Sequence, residues 1–138
     1  MAFAPISDIR EGLARNLDAI SDVQVSAYMP LSPTMPALYV TPASIEYDRS
    51  MMRGLDVLTF TIEAFVAFGL DQGGQMRMDR LLSPSGFESV KEAAESDRTL
   101  GQMVQDVHVT RMSSYRAITI PNQNDLVLSA DWVVLVNS

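Results

Sequence analysis

The chain has no cysteine, so disulfides and thiolate metal sites are excluded. That suits a reducing compartment. Basic residues are sparse: one lysine, Lys91, and nine scattered arginines leave a formal net charge of −7. Binding nucleic acid on an outer surface needs clustered Lys and Arg, so this composition argues against it. Long apolar runs are also missing. No stretch approaches the roughly 20 apolar residues of a membrane span. The opening residues MAFAPISDIREG carry no basic region and no long apolar run, which predicts no signal peptide. Histidine occurs once, as His108, so no His pair has metal-ligand spacing. The carboxylates do not repeat as a calcium loop, and Gly73-Gly74 lacks the lysine and spacing of a phosphate cradle. No cofactor and no metal is expected.

What is present is strand material. The 138 residues fit one domain, 1–138, large enough to bury close to 70% of the surface of its unfolded chain. Leu55–Phe68 reads LDVLTFTIEAFVAF. Its even row from Leu58 is wholly apolar, and its odd row mixes Thr59, Thr61 and Glu63 with apolar residues. That is the period of a strand with one buried face. At 14 residues it is long for a strand and would extend roughly 45 Å.

Around it, Ile6, Ile9, Leu13, Leu17 and Ile20 make one apolar stripe, predicting a helix over 7–20 with Arg10, Arg15 and Asp18 on the wet side. Val23–Met29 alternates as a strand. PLSPTMP at 30–36 is an irregular loop, because three prolines remove donors. Ala37–Thr41 is a short strand that Pro42 ends, with a second extended piece at Ser44–Asp48. A helix is expected over 72–82, with Met78, Leu81 and Leu82 inward. Pro84 breaks it, and the capping box Ser85-Gly86-Phe87-Glu88 opens another to about Ser96. Thr99–Met103 is a turn. Val104–Ile120 is a strand with a break, bulge or bend at Ser113-Ser114. Pro121–Asp125 is a turn by composition. Leu126–Val136 is the last strand, with Leu128, Ala130, Trp132, Val134 and Val136 inward and Ser129 and Asp131 on the other face. Strands run in blocks with helices between them. The fold class is therefore α+β, a mostly antiparallel sheet with an N-terminal helix and a short helix pair packed on it.

No catalytic set accompanies this frame. His108 shares a strand face with Asp106 but has no nucleophile elbow near it, so a strand-surface histidine is the plainer reading and no enzyme is expected. Glu63 has two readings: a solvated residue, or a charge lining a pore or pairing across a subunit contact. The tip Arg49-Ser-Met-Met-Arg-Gly54 is apolar between two arginines. Met51 and Met52 suit an adaptable contact flanked by Arg49 and Arg53, against the alternative of an ordinary loop.

Asp79-Arg80-Leu81-Leu82-Ser83-Pro84-Ser85-Gly86 runs into the helix Phe87–Glu95, then Thr99-Leu100-Gly101 and a Val-rich strand, and the chain closes on Ala130-Asp131-Trp132-Val133-Val134. Over most of the chain this order resembles the small neck and tail-completion proteins of long-tailed phages, in particular tail terminators of siphophages infecting actinobacteria. The resemblance implies a virion protein of the tail or neck, assembled in the host cytoplasm as a ring, usually a hexamer, on the head-proximal end of the tail tube. It would stop tube growth and present the surface for head–tail joining. Its partners would be itself, the tail tube protein and a head–tail connector or head-completion protein. Genomic DNA would pass through its lumen without specific binding, and no membrane is involved. Thr59, Thr61 and Glu63 would line the lumen or the subunit seam. The alternatives are another neck component and, in a different class, a small cellular ligand-binding α+β domain.

Overall fold

The computed structural model describes residues 6–20, 23–28, 37–46, 57–67, 73–86, 89–102, 104–119 and 126–137. These form helix α1 (Ile6–Leu17), strands β1 (Gln24–Ser26), β2 (Ala37–Glu46) and β3 (Val57–Ala67), helices α2 (Gly73–Leu82) and α3 (Val90–Ala94), and strands β4 (Asp106–Thr119) and β5 (Leu126–Asn137). The five strands make one sheet in the order β1-β2-β3-β5-β4. Only the three-residue β1 pairs parallel to its neighbour; every other pairing is antiparallel. The architecture is the expected α+β, with helices packed on a mostly antiparallel sheet.

The strand expected to be exceptional is central rather than longest. β3 has 11 residues against 14 in β4 and 12 in β5, and it lies between β2 and β5. Its even row, Leu58, Phe60, Ile62, Ala64 and Val66, is buried in the main core. Ile62 lies opposite Trp132, and the β5 row from Leu128 to Val136 continues the same apolar layer. All three helices cover this side: Ile9, Leu13 and Leu17 from α1, Met78 and Leu81 from α2, and Val90, Ala93 and Ala94 from α3. Each large side chain so buried contributes about 1.5–3 kcal/mol.

Several local expectations change. α1 stops at Leu17, and Ile20 reaches the core from a turn closed by its N–H donating to Leu17 O at 3.0 Å. Arg10 is not on the wet side. Its guanidinium donates to Ala27 O (2.9 Å) and Val40 O (2.8 Å) and lies 4.4 Å from the Tyr28 ring centroid, pinning α1 to the β1–β2 edge. Asn16 Nδ2 donates to Ala94 O and Asp97 O, both at 3.0 Å, satisfying carbonyls at the end of α3.

Pro42 does not end a strand. β2 runs through it, because a bulge between Pro42 and Ser44 absorbs the proline beyond the reach of the short β1. The N-cap of α3 is Ser89, not Ser85: Ser89 Oγ accepts from Glu92 N–H at 3.1 Å and donates to Ser83 O at 2.6 Å. The helix is thus five residues long.

Candidate functional site

The face of the sheet turned away from the helices holds a polar cluster built from four strands. Register places Tyr39, Glu63 and Asp131 in one row across β2, β3 and β5. The Tyr39 hydroxyl donates to Glu63 Oε2 at 2.5 Å. Arg116 arrives from β4. Two bulges, between Val109 and Arg111 and between Ser113 and Arg116, each insert one residue and reset which side chains face outward. At the second, Ser114 takes φ +59°, and its carbonyl accepts from Arg116 Nη1 at 2.8 Å. That clamp holds the guanidinium with Nη2 3.9 Å from Glu63 Oε1 and Nη1 3.7 Å from Asp131 Oδ2. Both distances are those of ion pairs longer than a direct hydrogen bond.

Beside this cluster lies a small apolar one. Tyr39, Phe65 and Val127 are buried together with Ile118 packed against them, and the Tyr39 and Phe65 rings lie 5.6 Å apart at 34°. The setting alters the acids. Burial, and then the hydrogen bond to Glu63, push the Tyr39 phenol up, so it remains a neutral donor. Burial and the nearby Glu63 charge also raise the Asp131 carboxyl, against the pull of Arg116. Two acceptors remain unserved: Asp131 Oδ1 and the hydroxyl of the fully buried Ser129 have no hydrogen-bond partner among the described residues.

Thr59, Thr61 and Glu63 thus lie on one row, half-buried, on the helix-free face. Glu63 is not a solvated residue: its side chain is 20% exposed and bonded within the chain. Tyr39 and Arg116 were not singled out from sequence, and Asp131 was placed only on the outer face of its strand. Tyr39 is legible only once its strand is registered on β3, and the bulge hides the phase of Arg116. Arg49, Met51, Met52 and Arg53 lie outside the described residues.

His108 stands elsewhere. Its Nδ1 is 3.1 Å from Glu95 Oε2, and Glu95 also accepts from Lys91 Nζ (2.9 Å) and Val109 N–H (2.8 Å). Burial pushes the Glu95 carboxyl up, but the Lys91 and Val109 bonds outweigh it and hold the group below its usual range. Asp106, the carboxylate expected beside His108, pairs with Arg98 at 2.7 Å instead. The arrangement brackets the end of α3 to β4. Asp97 is similarly occupied by its own turn, accepting from Thr99 N–H, Thr99 Oγ1 and Gly101 N–H. That turn carries Leu100, Gly101 and Gln102 at φ +51°, +72° and +69°, with Leu100 buried.

Among the described residues, no group of three or more His, Asp or Glu is placed to hold a metal ion, and no helix is long and apolar enough to cross a membrane. A hollow of about 460 Å³ beside α1 is lined, among the described residues, by Asp8, Glu11, Ala14, Arg15 and Ala27. No protein-family model matches the chain, and no curated protein matches it at a significant level.

Proposed function

We propose that the chain is a ring-forming structural protein of a phage tail, of the tail-terminator type. It caps the head-proximal end of the tail tube, ends its growth and offers the surface to which the filled head is joined. The observation that carries this reading is the two-sided sheet. One side is sealed by helices, and the other has no helix over it among the described residues and carries half-buried charge. A heterologous contact made through such a face closes into a ring when its rotation closes. The sequence resemblance supplies the tail. The acidic balance, −7 with one lysine, suits a lumen through which DNA slides without sticking.

The test is electron microscopy of particles assembled without this chain. Tails of uncontrolled length support termination. Tails of regular length beside unattached, filled heads move the role to head–tail joining, and intact infectious particles overturn both.

A further inference from the structure

β4 ends the sheet, and no strand lies beyond it among the described residues. Such an edge offers backbone N–H and C=O groups to any extended chain. Its first half is the part best shaped to use them. From Asp106 to Val109 it keeps unbroken register with Asn137 to Val134, whereas bulges after Val109 and after Ser113 break the repeat of the second half. Along a strand, N–H groups two residues apart point to the same side. Val109 N–H donates to Glu95 Oε2 at 2.8 Å. A side chain does not fit between two paired strands, so this bond marks the outward side at 109 and with it at 107. Val107 N–H meets the Asp106 carboxylate there. The Arg98 hydrogen bond, and to a lesser extent this N–H, hold that carboxyl below its usual range. Both carboxylates are fixed in turn. Glu95 takes Lys91 Nζ at 2.9 Å on each oxygen and stands 3.1 Å from His108 Nδ1. Asp106 takes Arg98 Nε at 2.7 Å and Nη2 at 3.1 Å as a fork.

We propose that Glu95 and Asp106 guard the outer edge of β4, occupying the two N–H groups on which a strand of a second copy would otherwise pair. The guards sit where the strand is regular, and the bulges protect the rest. A carboxylate holds an N–H more strongly than the neutral carbonyl of an incoming strand does. A second copy is the fitting occupant of the bared edge, because antiparallel pairing of one stretch with itself is self-complementary about a two-fold axis. Val107 of one copy would then pair with Val109 of the other. With the guards in place, that pairing would bring like charges together across the new seam, which disfavours it. The guard is independent of the ring-forming reading: particles that are normal without the chain would remove that reading and leave this edge as it is.

Amide hydrogen exchange and sedimentation velocity of the full chain test it, using Glu95→Ala, Asp106→Ala and the double variant. At low concentration, exchange at Val109 should rise about tenfold or more in Glu95→Ala, with a smaller rise at Val107 in Asp106→Ala. The double variant should self-associate about tenfold or more tightly than wild type, and its 107 and 109 amides should regain protection as concentration rises. Unchanged exchange at Val109 in Glu95→Ala overturns the guard. So does association that leaves the 107 and 109 amides exchanging fast, since the contact then lies elsewhere. Where the double variant loses its far-UV circular dichroism, the single variants decide, each leaving the other cap in place. Association no tighter than wild type in every folded variant overturns the proposal.

Discussion

One strand serves two unlike surfaces. Leu58, Phe60 and Ile62 of β3 point into a helix-covered layer where exposure is 3% or less. Thr59, Thr61 and Glu63, alternating with them, sit half-buried on the other side. The covered side is governed by volume: apolar rows of β3 and β5 meet the stripes of three helices, and any residue of the right size and polarity serves. The open side is governed by pairing, because Glu63 and Asp131 are held part-way out of water and each needs a donor. Burying carboxylates stabilises a fold poorly compared with apolar packing. The contrast teaches that the first side sets the stability of the fold, whereas the second carries charge that only pairing can satisfy.

Truncating Phe60 to Ala should sharpen the contrast most. It opens a cavity in the covered layer and is expected to cost about 3–5 kcal/mol, read as a lower urea midpoint with unchanged slope. On the open side, Tyr39→Phe keeps the packing on Phe65 but removes the donor to Glu63. An expected loss of about 1.5–3 kcal/mol follows, because the acceptor is charged. Equal losses at the two sites would erase the distinction between a packed side and a paired one.

The smallest effect is the most discriminating, because two carboxyls, Asp131 on the open face and Glu95 at the end of α3, respond to pH in opposite directions. The folded state raises the Asp131 carboxyl above its ordinary 3.8, so it binds a proton more readily than the unfolded chain does. Its contribution is present at acid pH and is lost as pH rises through the raised value. Glu95 is held below its ordinary 4.5, so its contribution is present above that value and is lost as pH falls through the lowered one. Acidification from neutral should therefore first gain stability through Asp131 and then lose it through Glu95. Thermal melts should show Asp131→Asn abolishing the gain and Glu95→Gln flattening the loss. A melting curve unchanged by Asp131→Asn would mean that the cluster is better satisfied than its geometry indicates.

Much of the covered side was legible. The apolar rows of β3 and β5 repeat every two residues and the α1 stripe every three or four, and burial follows both. Local signals failed where two of them compete or where a bulge intervenes. Ser85–Glu88 and Ser89–Glu92 have the same capping spacing in tandem, and the inward packing of Val90, Ala93 and Ala94 selects the second. Pro42 reads as a stop, yet a bulge carries the strand past it. The open-face cluster was half legible. Thr59, Thr61 and Glu63 follow from alternation alone, as does the outward face of Asp131, whereas Tyr39 and Arg116 join them only through register across four strands. Two extra residues in β4 scramble that register in the sequence.

The strand order also bears on how the molecule comes to exist. β5 is the last strand in the sequence and yet lies between β3 and β4, pairing with both along its length. A nascent chain that has emerged only through β4 therefore has two unpaired strand edges facing an empty slot. Such edges are aggregation-prone, and contacts so distant in sequence form slowly. Trp132, the one tryptophan, sits in the middle of the strand that fills the slot. Its fluorescence in a refolding experiment would time the closing of the sheet, and with it the loss of those two open edges.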